Sequence, residues 1–494
     1  MKVLIANRNE IAVRVIRTCQ EMGLKTVSVY TEPDRACMHA WLADEAVCIG
    51  SAQAYLDADT IIQAALQTGA DAIHPGYGFL SESAVFAQKV EEAGLIFIGP
   101  RSETIALLGD KLSSRKAADL ANLPVLPGSE GPLPQVIPLE MMEKVTYPVL
   151  VKATAGGGGR GIRLATSRGE LLEVIAAARK EAKAAFGDDT VYLESLVQEA
   201  RHIEVQILGD GQGKVLCLGD RECSIQRRRQ KLIEEAPAPG LSKQLRRQLC
   251  EAAIRLGGSL NYRSLGTVEF LVTQDEKFYF IEVNPRIQVE HPVSEAVLGL
   301  DLVKQQLLLA MGNPLTLNQK DIVVKGAAIE ARILAEDSSQ DFLPSTGLIS
   351  YIKEPSGPGI RIDSALYQGM EVSSNYDSLI AKVIASGEDR SSAMARLQRA
   401  LKAFDVCGIA TDVEFLLQII NSEAFQNAKV TTTYLDSFTP IPASFAEGLQ
   451  EALAVAAALY KHQRLNASNT RMPLPVQNSK WQLAAWREQM PGIG

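Results

Sequence analysis

The stretch VKATAGGGGRGIRLA, Val151 to Ala165, holds five glycines, and its reading decides which phosphate-binding fold the chain can have. Gly156, Gly158 and Gly161 fit the G-x-G-x-x-G spacing of a dinucleotide-binding turn. Such a turn opens a helix whose N-terminus holds the pyrophosphate. After Gly161 the chain continues as IRLAT, short and strand-like, so the loop is expected to join two antiparallel strands. The phosphate-loop NTPase motif fails as well, because Arg160 and Gly161 stand where Lys and Ser or Thr are required. The remaining reading is a flap whose bare backbone N–H groups can approach an anion closely, with Lys152 on the strand beneath as a point charge. By themselves, four consecutive glycines fit an ordinary surface loop equally well.

Upstream, short apolar runs (KVLIA, KTVSVY, DAIHPG, LIFIGP) alternate with the amphipathic EIAVRVIRTCQEMG and SAVFAQKVEEAG. That rhythm predicts a parallel, doubly wound sheet. The first strand leads into NRNEIA with no glycine fingerprint, so a Rossmann-like layer without a dinucleotide is expected. LPVLPGSEGPLP, Leu123 to Pro134, marks a boundary or hinge. Downstream come a helix over Arg168–Ala185, the strands VYLESLV, RHIEVQIL and KVLCLGD, a basic stretch, and a helix from Ser242 to Leu256. A strand pair, GTVEFLV and KFYFIEVNPR, comes next, and AAIEARILAED opens a third, strand-rich unit near Lys325. Past Thr439 the tail has a helix-like alanine stretch and the polar HQRLNASNTR.

A length of 494 residues suggests about three domains. The net charge of -8 argues against nucleic acid or an anionic membrane as partner. No apolar run approaches the ~20 residues of a membrane span, and Met1 is followed at once by a charge and a strand-like run rather than a signal peptide. The seven cysteines form no C-x-x-C pair, which fits a reducing cytoplasm rather than a disulfide framework or zinc site.

Chemistry concentrates in GTVEFLVTQDEKFYFIEVNPRIQVEHP, Gly266 to Pro292. Glu282 and Asn284 share a strand face. With a four-residue turn at Gln274–Lys277, Glu269 lies directly across from Glu282, with Cβ atoms ~5 Å apart. A hard divalent ion carried by phosphates, Mg²⁺ or Mn²⁺, resolves the repulsion of that pair; a solvated acidic hairpin is the alternative. Pro285 stops the strand, and Arg286, Gln288 and Glu290 project from the next loop. In RHIEVQIL, His202, Glu204 and Gln206 share a face, but zinc lacks a third ligand at suitable spacing. Contacts to a nucleotide sugar and an ordinary strand histidine both stay open for His202. In SIQRRRQKLIEEAPA, Arg227, Arg229 and Lys231 would share one strand face suited to oxyanions, and the missing interleaved aromatics weigh against nucleic acid.

Together with HPGYGFLSE, GDK, EVNPRIQVEHPVSE and EARILAED, these runs resemble the biotin carboxylases of the ATP-grasp superfamily across about residues 1 to 440. The resemblance implies an α/β fold, α+β in part. A Rossmann-like N-terminal domain (1–110) would precede an ATP-grasp domain (111–315) whose glycine-rich lid spans 123–198. A strand-rich C-terminal domain (325–440) and an extension of unknown role (441–494) would complete the chain.

The resemblance also implies site roles. Lys111, Lys152, Gly158 and Gly159 would hold ATP phosphates, Glu194, Ser195, Leu196 and Val197 the adenine edge, and His202 the ribose. Glu269, Glu282 and Asn284 would bind the metal, the two glutamates also counting among the ATP contacts. Lys231, Arg286, Gln288 and Val289 would surround bicarbonate, with Glu290 as base. Tyr77, Arg286, Val289 and Arg332 would sit near biotin, with Arg332 steadying its enolate-like oxygen. Asn9 stands where the family usually has glycine, and Arg229 where many members carry His or Asn, so the nucleotide contact of Arg229 is open.

The implied activity is carboxylation of biotin through carboxyphosphate, within an acyl-CoA carboxylase of fatty acid biosynthesis or a pyruvate carboxylase. The implied partners are a biotin carboxyl carrier protein, carboxyltransferase subunits and a second copy of the chain. Carrier domains of the family attach biotin within Met-Lys-Met, which these residues lack; Met472 and Met490 do not adjoin a lysine, so biotin is expected in trans. LAVAAALY with Trp481 and Trp486 could dock a partner or simply pack. Two other readings are an ATP-grasp ligase that makes an acyl phosphate without biotin, and a non-catalytic nucleotide-binding subunit.

Overall fold

In a computed structural model, residues 1–129, 131–143, 145–154, 161–441 and 449–467 are described. Met1–Pro440 forms one unit and Ile441–Gly494 another; in the second, the alanine-rich stretch is the helix Leu449–Ala467. Trp481 and Trp486 lie outside the described residues. No described helix is long and apolar enough to cross a membrane.

The apolar runs of the first hundred residues pair in parallel as β1 (Lys2–Ile5), β2 (Lys25–Tyr30), β3 (Glu45–Cys48), β4 (Ala72–His74) and β5 (Ile96–Phe97), in the order β3-β2-β1-β4-β5. That order, reversing between β1 and β4, is the doubly wound arrangement without its sixth strand. The short β3, largely exposed and without an apolar run, is the strand that the pattern did not reveal. Helix α1 (Asn9–Glu21) buries Ile11, Ala12, Val15, Ile16 and Cys19, the helical spacing of one apolar face. Its first residue explains the asparagine: Asn9 has φ of +56°, a left-handed conformation that glycine takes freely and asparagine tolerates best among the rest. Its side chain adds a bond that glycine cannot make, Nδ2 donating to the Leu379 carbonyl at 3.0 Å.

Helix α2 (Lys111–Leu120) leads to the Pro/Gly connection, which is pinned at both ends rather than hanging free. Phe280 N donates to the Pro124 carbonyl at 2.7 Å at one end, Leu133 N to the Val191 carbonyl at 2.8 Å at the other, and Ser129 N to the Leu193 carbonyl at 3.0 Å between them. Gly128 sits so close that a Cβ there would lie 2.2 Å from the Leu193 carbonyl oxygen, so only glycine fits.

The glycine stretch joins antiparallel strands, as its β-branched continuation implied. β6 (Val149–Ala153) pairs with β7 (Ile162–Ala165), Lys152 opposite Ile162, while β8 (Val191–Ser195) flanks the other edge. Helix α3 (Arg168–Phe186) covers this small sheet, and Val149, Val151, Leu171, Ile175, Val191 and Leu193 build a core of its own. Gly158 and Gly159 lie outside the described residues.

A second, eight-stranded antiparallel sheet carries the chemistry. Its strands are β9 (Arg201–Asp210), β10 (Val215–Arg227), β11 (Gln230–Ala236), β12 (Arg263–Val272), β13 (Phe278–Asn284), β14 (Ala327–Leu334), β15 (Ile360–Ser364) and β16 (Leu379–Gly387). They lie in the order β13-β12-β9-β10-β11-β14-β16-β15, so one sheet runs on past residue 325. Strand alternation gives it two characters. Ile203, Val205, Ile207 and Val268 pack against Leu245, Leu249 and Leu256 of helix α4 (Lys243–Ser259). The opposite face carries charge.

Candidate active site

The site begins as a row across four strands. Arg221 on β10 lies opposite Glu204 on β9, Glu204 opposite Glu269 on β12, and Glu269 opposite Glu282 on β13. The pair Glu269–Glu282 therefore stands, but not through the expected turn. The hairpin loop has five residues, Thr273 to Lys277, and an extra residue, Ile281, bulges from β13 and restores the register.

Cations from elsewhere neutralise this row. The Lys231 ammonium lies 2.6 Å from Glu204, 3.0 Å from Glu269 and 2.7 Å from Glu290. Burial would push Lys231 down, but the three carboxylates outweigh it and hold the amine well above its usual range. Glu204 also binds Arg221, fully buried beside Gln206 and Ser294. His202 Nε2 sits 2.9 Å from Glu269 and its Nδ1 2.7 Å from Gln226. His202, Glu204 and Glu269 thus converge, with possible ligand atoms within 4.8 Å, so a third metal-type ligand exists that the spacing along the chain could not show. Both oxygens of Glu204 are already taken by Arg221 and Lys231, which disfavours zinc there.

The basic stretch is not one continuous strand face, which corrects the expected alignment of Arg227, Arg229 and Lys231. Arg228 and Arg229 have φ of +50° and +66° and form a two-residue hairpin turn between β10 and β11. Arg229 is exposed, Arg227 binds Glu336 and stacks 3.8 Å over Phe342, and only Lys231 enters the carboxylate cluster.

Pro285 ends β13, and the next residues line the cluster. Glu290 is fully buried; one oxygen meets Lys231 and the other lies 2.8 Å from Arg332 Nη2. Arg332 Nε in turn donates to Glu234 at 2.6 Å. Burial pushes the Glu290 carboxyl up, but Lys231, Arg332 and Arg221 outweigh it and hold it well below the usual range. Arg286 spreads its guanidinium over Glu82 (2.8 Å), Gln288 (2.9 Å), the Ile287 carbonyl (3.1 Å) and Asn284 (3.2 Å). The Val289 carbonyl accepts from Lys382, whose ammonium lies 6.0 Å from the centre of the Tyr77 ring.

The residues expected to meet the nucleotide join the same cluster. Lys111, at the start of α2, binds Glu282 at 2.6 Å, and Lys152 binds Glu194 at 2.5 Å. Lys111, against the opposing effects of burial and of Glu269, holds Glu282 below its normal value; Glu269, lifted by burial, is held down by Lys231 and His202. Ser195 ends β8, its N–H donating to the Pro127 carbonyl at 2.8 Å, and Leu196 and Val197 continue from it. Two ionised carboxylates in register and the Asn284 amide form a hard oxygen set that fits Mg²⁺ or Mn²⁺.

Glu82, Arg221, Glu234 and Lys382 were missed in the sequence. Each reaches the site from a distant segment, and no local spacing marks it. For Arg286, whose planar fork makes four contacts at once, Arg286→Lys should lower the biotin carboxylation that the resemblance implies by about 10²–10³, because a point charge cannot replace the fork. Steady-state rates with free biotin check this, and a lysine variant of wild-type rate would remove the role.

Lys111 and Lys152 beside the in-register pair Glu269–Glu282, with the β8 end at Ser195, form an arrangement of the ATP-grasp class. Residues 110–318 accordingly match the family described as carbamoyl-phosphate synthase L chain, ATP binding domain. Residues 1–105 and 330–437 match the N-terminal and C-terminal domains of biotin carboxylase, and the chain belongs to the biotin carboxylase family. The biotin carboxylase of Pseudomonas aeruginosa is 49% identical over 440 residues, 88% of this chain and 98% of that protein. The biotin carboxylase–β-γ-ATP complex from Campylobacter jejuni superposes with a TM-score of 0.86 at 43% identity, covering 88% of this chain and 98% of that one. The biotin carboxylase domain dimer of Hydrogenobacter thermophilus 2-oxoglutarate carboxylase, in complex with MgADP, ADP and bicarbonate, gives a TM-score of 0.85 at 43% identity, covering 88% of this chain and 97% of that one.

Proposed function

We propose that the chain carboxylates biotin at the expense of ATP, with bicarbonate as the carbon source. The observation that carries this reading is Glu290, a buried carboxylate clamped between Lys231 and Arg332 beside the Glu269–Glu282 pair. Lys111 and Lys152 bind the ATP phosphates, and Glu194 to Val197 the adenine edge. A divalent ion held by Glu269, Glu282 and Asn284 supplies charge neutralisation at the phosphates. Bicarbonate enters among Lys231, Arg286, Gln288 and Val289 and displaces the contacts that Lys231 and Arg286 now make within the protein. An incoming anion would share Lys231 and place its own negative charge beside Glu290, opposing the cations that hold that carboxyl down.

Glu290 then takes the bicarbonate proton while a bicarbonate oxygen attacks the γ-phosphorus and ADP leaves. Carboxyphosphate breaks into CO₂ and phosphate; phosphate removes the ureido N–H proton, and the nitrogen bonds CO₂. Arg332 and Tyr77 hold biotin during this step. The separately packed lid, residues 123–198, excludes water that would hydrolyse the intermediate. Residues 1–110, 111–315 and 325–440 act as three cooperating parts of a homodimer. Carboxyltransferase subunits pass the carboxyl group to an acyl-CoA or keto acid.

The test is ATP hydrolysis by the purified chain with free biotin. Turnover should require both bicarbonate and biotin; turnover indifferent to biotin would favour another ATP-grasp ligase. Biotin should arrive on a carrier outside these residues. After co-expression with a biotin ligase, mass spectrometry should find the chain unmodified, and covalent biotin on any of its lysines would overturn that part.

A further inference from the structure

Three strands of the large sheet place Arg332, Lys382 and Asp363 in one row, Arg332 opposite Lys382 on β14 and β16, and Lys382 opposite Asp363 on β15. Two cations directly opposite each other are unfavourable in a sheet. Their targets explain the arrangement. Arg332 binds the Glu290 side chain, and Lys382, fully buried, donates to the carbonyl of the preceding residue, Val289, at 2.9 Å. We propose that Lys382 is a positioning residue of the bicarbonate and biotin site, fixing the backbone of Val289 so that Gln288, Val289 and Glu290 face the substrates.

The loop needs such an anchor because it comes after the Pro285 strand stop and has no ladder. The Gln288 carbonyl is held by His291, through its N–H at 3.3 Å and its Nδ1 at 2.8 Å, and the Glu290 carbonyl by Val293 N at 3.3 Å. At Val289 the ammonium takes that part. Its charge is balanced from the other parts of the fold, by Glu10 on α1 at 3.2 Å and Asp363 at 3.7 Å. Burial opposes the charge on Lys382, but Glu10, Glu330 and Asp363 outweigh it and keep the amine protonated. Asp363 is itself fixed by Arg361, through bonds of 2.8 Å to each oxygen. The same ammonium lies 6.0 Å from the centre of the Tyr77 ring, so one cation binds this loop and stands over the tyrosine assigned to biotin.

This inference rests on the function proposed above, and the experiment separates the two. Lys382→Met removes the donor but strands Glu10. The double variant Lys382→Met/Glu10→Gln removes both charges of a buried pair, a change that folded proteins often accept. Losing a charged hydrogen bond to the loop should raise the bicarbonate KM of the double variant by about tenfold or more, with the ATP KM within about twofold of wild type. A bicarbonate KM near wild type, parallel rises in both KM values, or a double variant that no longer melts cooperatively would overturn the positioning role. A wild-type chain without bicarbonate-dependent ATP turnover would instead sink the proposed function, and this inference with it.

Discussion

Glu290→Gln should abolish most bicarbonate-dependent ATP turnover, by about 10²–10⁴, the range for removing a general base. The substitution is nearly isosteric; the amide oxygen can accept from only one of Lys231 and Arg332, which now donate to separate oxygens at 2.7 and 2.8 Å, but Lys231 keeps Glu204 and Glu269 and Arg332 keeps Glu234. The fold should survive, and nucleotide binding with it, since the lid has its own core. The expected loss follows from the role proposed for Glu290, acceptance of the bicarbonate proton. Glu290→Asp retains the charge but withdraws it from Lys231, and should recover only part of the rate. Rate measurements across bicarbonate concentrations decide the matter. A glutamine variant within about tenfold of wild type would show that the proton leaves by another route.

Glu282→Gln should cost turnover by about 10²–10³ at any bicarbonate concentration, because one of the two carboxylates proposed to hold the divalent ion becomes neutral. The register makes the two glutamates a single donor set, and Lys111 at 2.6 Å keeps Glu282 ionised. The variant should need more Mg²⁺ for half-maximal rate while its melting temperature stays close to wild type. Near-normal turnover with an unchanged metal requirement would remove Glu282 from the metal set. The two variants should also differ from each other. Loss at Glu282 falls on ATP chemistry as a whole, while loss at Glu290 leaves metal dependence untouched.

Strand alternation read from the sequence put Glu282 and Asn284 on one face, and β-branched residues after Gly161 turned the glycine run into a hairpin rather than a helix start. These features are local: side-chain direction has a period of two along a strand, and backbone preference acts within a few residues. The Glu269–Glu282 pair was found from a turn length that proved one residue short, and the bulge at Ile281 compensated. Two errors of opposite sign cancelled, so the pair itself is firmer than the turn that suggested it.

The sequence by itself determined the strand rhythm, the hairpin around the glycines, and the stop at Pro285 that opens the loop carrying Arg286, Gln288 and Glu290. Only the tertiary structure decided how charge is balanced. The row Arg221–Glu204–Glu269–Glu282 arises because β10, β9, β12 and β13 are neighbours in space though not all in sequence. Glu82, Glu234 and Lys382 reach Arg286, Arg332 and Val289 across separations that no window along the chain spans. A buried charge is tolerable only beside its partner, and the partner is chosen by packing. The left-handed Asn9 and the Arg228–Arg229 turn likewise became legible only with the backbone angles, because the residue types alone do not demand them.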